Sequence, residues 1–206
     1  MTLNVVVFSK APVPGEAKRR LIPALGAAGA AALSARLIRR VVGEAVASGV
    51  GPVQLCCAGD IDHRVFVSLS VEHKIPRHAQ RGGDLGARMR AALQGAVAAP
   101  GPAVVVGTDC PGLTARVFRQ AAQLMECHDA VLGPAFDGGY VLLALREPHA
   151  MLFEGIPWST EQVAALTRGA MQALGWRWAE IGPFYDIDWP TDLKHLPAGL
   201  LAEAGG

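Results

Sequence analysis

The chain has 206 residues, 19 Lys plus Arg against 18 Asp plus Glu, a net charge of +1, and 51% hydrophobic against 18% charged residues. That length and composition fit one globular domain with a substantial core and exclude a disordered chain. The near-neutral balance argues against nucleic acid as a partner, and no apolar stretch is read as reaching the roughly 18 residues of a membrane helix.

The predicted elements alternate along the chain. Residues 3–9 form a continuous apolar run, as in a strand buried inside a parallel sheet. MTLNVVVFSKAPVPG is thus expected to open with a strand, not a signal peptide. In the next stretch, KAPVPGEAKRRL, two prolines and a glycine forbid a long regular element. It crowds Lys10, Lys18, Arg19 and Arg20 into one loop, which is either a solvated basic loop or a phosphate clamp. Residues 27–48 are a long Ala-rich helix with Leu33, Leu37, Val41 and Ala45 on its buried stripe. A strand over 52–58, a helix capped by Asp60 and a short strand over 75–79 follow.

QRGGDLGARM, residues 80–89, is a second glycine-rich loop entering a helix. Asp84 is its N-cap, and Leu85, Met89, Leu93 and Val97 are its buried stripe. The glycines either make the turn or admit a nucleotide at the helix amino terminus. Residues 103–106 are a strand buried on both faces. Asp109 sits just past its carboxyl end, where ligands bind in open α/β sheets, though a loop or capping aspartate fits there equally. Thr114 caps the helix that comes next.

Two apolar runs, 130–136 and 140–145, flank Asp137-Gly138-Gly139, a hairpin signal that makes Asp137 a turn residue or a ligand. Ser159 and Gln162 fit a capping box before a helix that buries Val163, Leu166, Ala170 and Leu174. Trp158 is packing or a substrate platform. A last strand over 176–181 leads to YDIDWPTDL. There Asp186 and Asp188 alternate around Ile187, so both point to one side, and Pro190 starts a short helix.

The expected fold is a single-domain Rossmann-like α/β/α sandwich, with a mostly parallel sheet and an added antiparallel hairpin. It spans residues 1–197, and 198–206 form a frayed tail. The cysteines (Cys56, Cys57, Cys110, Cys127) form no Cys-x-x-Cys pair, and the six histidines have no metal-ligand spacing. Neither a disulfide framework nor a zinc site is expected, and a cytoplasmic location with reduced thiols follows.

A basic loop and two acidic loops suit a diphosphate held with a divalent cation, Mg2+ or Mn2+. Such a cation takes one or two carboxylates plus phosphate oxygens. Asp109 and Asp188 are the candidate ligands, with Asp186 as substitute for Asp188. Lys10, Lys18 and Arg20 offset charge on a leaving phosphate. No Ser-His-Asp or Cys-His arrangement is present, so Lys18, Arg20 and Asp109 are the candidate catalytic residues.

FSKAPVPGEAKRRL, QRGGDLGARM, VVGTDCPGL, GPAFDGGYVLL, IPWSTEQV and DIDWPTDL together resemble the bacterial glycosyltransferase A-like proteins of the nucleotide-diphospho-sugar transferase superfamily. The first motif also looks like the amino-terminal loop of phospholactate guanylyltransferases and molybdenum-cofactor nucleotidyltransferases. The resemblance implies that Lys10, Ala11, Pro14, Gly15 and Lys18 hold nucleotide phosphates. It also implies that Gln80, Gly83, Asp84 and Gly86 contact the base or ribose, that Asp109 holds a metal, and that Asp137, Gly138, Trp158, Ser159 and Thr160 face the acceptor. The family pattern Lys-Thr-Arg-Leu is here Lys18-Arg19-Arg20-Leu21, a bulky cation in place of a small hydroxyl.

The first expectation is glycosyl transfer from a small-molecule nucleotide-diphospho-sugar to an unknown acceptor. Its rivals are nucleotidyl transfer from a nucleoside triphosphate with release of pyrophosphate, and non-catalytic nucleotide binding. A homodimer is open.

Overall fold

The computed structural model describes residues 1–201; residues 202–206 of the expected tail lie outside the described residues, and 198–201 form a turn. Seven strands make one sheet in the order β3-β2-β1-β4-β6-β5-β7. They are β1 (Asn4–Lys10), β2 (Val53–Ala58), β3 (Arg77–Ala79), β4 (Ala103–Val106), β5 (Ala130–Pro134), β6 (Tyr140–Leu145) and β7 (Trp178–Glu180). Every pairing is parallel except those of β6, which runs antiparallel to both β4 and β5. β1 and β4 are buried almost throughout because helices cover both faces, which is why their sequences are apolar without alternation.

The helices are α1 (Ile22–Ser48), α2 (Arg64–His73), α3 (Leu85–Val97), α4 (Ala115–Leu124) and α5 (Val163–Ala173). α1, α2 and α4 pack one face of the sheet, around Phe66, Phe118 and Ile38, while α3 and α5 pack the other, around Leu93, Leu143 and Met171. α1 carries a non-helical Gly26 (φ 69°), a left-handed conformation that costs glycine nothing and kinks the chain. Beyond the kink, Leu33, Leu37, Val41 and Ala45 are buried as their spacing requires.

Several local expectations are corrected. By length and composition the helix over Arg19–Ser48 could cross a membrane, with a mean hydropathy of 1.6, contrary to the reading of the sequence. Its apolar side chains, however, pack against the sheet and the carboxyl-terminal segment. Asp60 does not cap α2: its Oδ1 accepts from the Asp62 amide, and His63 is the cap. α5 buries Val163, Ala164, Thr167 and Met171, and Leu166 is exposed. Just before the helix Thr160, not Ser159, accepts from the Gln162 amide.

Candidate active site

β1 leads on one side to β2 and on the other pairs with β4, so the strand order reverses between them, and the carboxyl ends of these two strands form the crevice where α/β sheets bind ligands. Ser9 Oγ and Thr108 Oγ1 meet there at 3.3 Å. Asp109 follows on a loop anchored by buried Cys110 and Leu113. Arg40 Nε donates to Pro111 O (3.1 Å), and Glu44 Oε2 accepts from the Ala115 amide (2.7 Å). Glu44 supplies the cap of α4; Thr114 makes no side-chain capping bond.

The carboxyl-terminal segment is drawn to this loop. The Ile187 amide donates to Asp109 O at 3.0 Å. Ile187 is buried with Leu21, Leu33 and Leu37, which leaves Asp186 and Asp188 flanking it toward the crevice. Asp192 Oδ2 accepts from the Asp188 and Trp189 amides and holds the turn into the short 3-10 helix Pro190–His195.

Lys18 completes the cluster. Its backbone is left-handed (φ 48°, ψ 44°), an uncommon conformation for a side chain with a Cβ. Its side chain is only 3% exposed, and Nζ lies 2.7 Å from Asp109 Oδ1 and 3.2 Å from Asp188 Oδ1. Nζ also donates to Ile187 O at 2.5 Å. Burial works against its charge, but the Asp109 and Asp188 carboxylates outweigh burial and raise its pKa. Arg20 reaches Asp188 Oδ2 at 3.8 Å and lies over the Trp189 ring at 4.7 Å. Asp186 is pushed up to about 8, first by burial, then by Asp109 and Asp188; Lys18 opposes the shift and Asp137 adds to it.

A cavity of about 470 Å³ opens beside this cluster. Lys10, Lys18, Gln80, Asp109 and Asp188 line it together, so five predicted residues from four distant segments meet. Lys10 also pairs with Glu16 at 3.5 Å. Ala11 is instead buried in the core, its amide donating to Ala58 O, and Pro14, Gly15 and Arg19 are exposed. Ser34, Arg88 and Tyr140 line the cavity without having been expected. Ser34 had one signal, a polar residue on an otherwise apolar helix face; Arg88 and Tyr140 had none.

The second glycine-rich loop is organised by its own packing. Asp84 Oδ1 accepts from the Ala87 amide at 2.8 Å, the expected N-cap. A Cβ on Gly86 would lie 2.5 Å from Phe153 O and 2.6 Å from the Trp158 ring, so glycine is needed there for helix packing. Gly83 has nothing within 4 Å. Trp158 packs between α3 and Tyr140, edge-on to the latter at 6.4 Å. The hairpin turn lies on the 160–164 segment: Gly138 O accepts from the Ala164 amide, and Gly138 has no room for a side chain against Glu161. Asp137 Oδ1 accepts from the Gly139 amide at 2.9 Å, and Thr160 Oγ1 donates to Pro157 O. Ser159 is exposed, with φ 67°. Near these, exposed Phe136 stacks on Tyr185 at 4.1 Å, and Tyr185 on His195 at 3.7 Å, a feature with no sequence signal.

Among the described residues no three His, Cys, Asp or Glu side chains converge to hold a metal. Two carboxylate oxygens, from Asp109 and Asp188, do converge on one point, where Lys18 Nζ now lies. Two hard oxygen donors are what a protein commonly offers Mg2+ when phosphates and waters complete its shell, so the donor set fits.

Comparison with known proteins places the fold. The structure is similar to that of a candidate nucleotide-diphospho-sugar transferase from Desulfovibrio desulfuricans, with 29% identity and a TM-score of 0.84 over 94% of this chain and 85% of that one. The fold is also that of a CMP:2-keto-3-deoxy-manno-octonic acid synthetase complexed with CTP (13% identity, TM-score 0.56, 95% and 96% covered). It is likewise that of Rv0371C of Mycobacterium tuberculosis in complex with manganese (16% identity, TM-score 0.53, 98% and 100% covered). No curated protein matches the chain. A family profile described as uncharacterized protein conserved in bacteria (DUF2064) covers residues 41–160, more than half of the sequence. The chain belongs to that family, within the nucleotide-diphospho-sugar transferase superfamily.

Proposed function

We infer that this chain is a metal-dependent transferase acting on a nucleotide-diphospho-sugar. One observation carries the reading: Lys18, Asp109 and Asp188 converge at the mouth of a nucleotide-sized cavity at the switch point of the sheet. The nucleoside would enter the cavity between Gln80, Arg88 and Tyr140, with the diphosphate at its mouth. Lys18, Lys10 and Arg20 would offset the charge that grows on the leaving diphosphate, and Asp109 and Asp188 would hold a divalent cation. When bound, that cation would neutralise phosphate charge and orient the leaving group. The 136–138 turn, beside Asp186, would face the acceptor. Calorimetry with UDP-, GDP- and ADP-sugars, each with Mg2+ or Mn2+, tests the reading. Binding of at least one sugar nucleotide that needs the metal is expected, and silence across the set removes it.

Nucleotidyl transfer is the second reading, favoured by the fold shared with a synthetase that binds CTP and by the three cations of residues 18–20, since a triphosphate needs more countercharge. Pyrophosphate release from any of the four common nucleoside triphosphates, with a phosphorylated acceptor present, would select it over the first.

A further inference from the structure

We propose that Lys18 is the resident counter-ion of the Asp109–Asp188 pair, so that a divalent cation enters the site only as the Lys18 ammonium leaves it for an incoming diphosphate. The proposal rests on the functional reading above in one respect, that the diphosphate is the destination of the ammonium.

The geometry is that of a filled site. An ammonium has three N–H donors and no acceptor. Ile187 O and Asp188 Oδ1 accept from it at 2.5 and 3.2 Å, and Asp109 Oδ1 pairs with it at 2.7 Å. These are the hard oxygens a divalent cation would use, and two like charges do not share them. Attraction between oppositely charged groups at such separations is strong where water is excluded, and the Lys18 side chain is 97% covered while both carboxylates keep more than a third of their surface open to solvent. The pair is open to solvent on its outer side, and the ammonium beneath it holds the Oδ1 atoms on which the two carboxylates converge.

The lysine is also poised to move. Its left-handed backbone is an uncommon state that persists where surrounding contacts over-determine it. The Leu21 amide, donating to Lys18 O, holds the backbone, whereas the side chain is held by the three oxygens; releasing them frees a flexible four-carbon stem. Lys18 lines both the 470 Å³ cavity and a neighbouring hollow of about 280 Å³ shared with Glu16, Arg19, Arg20 and Asp188. An ammonium that leaves the carboxylates therefore has open space beside other cations, where a diphosphate would meet Lys18 and Arg20 together. Two consequences follow. The metal alone binds weakly because it must displace an ion pair, and a diphosphate alone binds weakly because Lys18 is engaged. Bound together, each removes the cost of the other, which is positive coupling between metal and diphosphate. A merely structural lysine would keep its place whatever cation is added.

Two measurements test this on the intact chain. The first is lysine acylation of the wild-type protein read by mass spectrometry, with half-exposed Lys10 as internal reference. Lys18 is expected to be protected without metal, to label several-fold faster at saturating Mn2+, and to be protected again with Mn2+ and inorganic pyrophosphate together. The second is Mn2+ binding by electron paramagnetic resonance. Lys18→Met is expected to bind Mn2+ alone at least about tenfold tighter than wild type, and Asp109→Asn in that background is expected to remove the gain. If Lys18 stays protected while Asp109-dependent Mn2+ binding is saturated, if Lys18→Met binds Mn2+ no tighter, or if neither protein shows Asp109-dependent binding, the proposal is overturned. Should Lys18→Met fail to fold, the wild-type acylation result decides alone. If Mn2+ exposes Lys18 but no nucleotide binds, the counter-ion proposal stands and the transferase reading falls. If nucleotides bind with Mn2+ while saturating Mn2+ alone leaves Lys18 protected, the reverse holds.

Discussion

The two glycine-bearing loops at the open edge of the sheet, residues 10–21 after β1 and residues 80–86 after β3, look alike in sequence and differ in what satisfies their polar groups. In the second, the Gln80, Asp84 and Arg88 side chains bond within the protein. Asp84 caps α3, Arg88 donates to the carbonyls of Gly82 and Gly83, and Gln80 Nε2 donates to Cys56 O at 3.0 Å. Gly86 is small so that Trp158 can pack on the helix. In the first loop, the charges reach across the molecule to carboxylates from two other segments, and Arg19 and Arg20 stay exposed. The second loop reaches the cavity through Gln80 and Arg88, whose side chains also bond within the protein, whereas the first brings Lys10 and Lys18 to the same cavity as charges.

The largest expected effect breaks the first loop's partnership. Asp109→Asn should lower metal-dependent nucleotide affinity by about 100-fold, close to 3 kcal/mol, in a calorimetric titration; unchanged affinity would move the ligand site elsewhere. Gly86→Ala probes the second loop. Its Cβ collides with backbone and an indole, so a loss of about 1–3 kcal/mol is expected, seen as a lowered Tm. A fall in nucleotide affinity at unchanged Tm would instead make this loop a nucleotide seat.

Asp186→Asn sharpens the picture of the rim through pH. The folded state keeps a proton on Asp186 up to about 8, whereas the unfolded chain loses it near 3.8. Folded molecules thus bind more protons across that window, and wild-type stability falls as pH rises through it. The asparagine variant escapes this loss. Its Tm advantage should be absent at the acid end, grow with pH and level off above about 8, at roughly 2–4 °C for each kcal/mol relieved. An advantage that does not change with pH would mean that Asp186 ionises normally. The smallest effect belongs to Gly83→Ala, in open space with no left-handed φ. Thermal denaturation should show a change within about 0.5 kcal/mol, and any loss of nucleotide binding would then report direct contact with the ligand.

What the sequence determined by itself is local. Four small or β-branched residues make β4 at 103–106, Asp-Gly-Gly joins β5 to β6, Asp84 caps α3, and the four-residue repeat of Leu33, Leu37, Val41 and Ala45 is buried. Each follows from backbone sterics, a nearby hydrogen bond or helical periodicity, all confined to a few neighbouring residues. Elsewhere another residue took the expected part: Glu44, a distant residue on α1, caps α4 in place of Thr114, and at the start of α5 the local partner is Thr160 rather than Ser159. The cluster of Lys18, Asp109 and Asp188 was decided wholly by tertiary structure. Lys18 and Asp188 stand 170 positions apart; the reversal of strand order at β1 and β4 and the Ile187 amide on Asp109 bring them to one point. The residue types announced a charge on each loop, but only packing could say that those charges neutralise one another, because the distance between charges, on which their interaction depends, is a property of the folded chain.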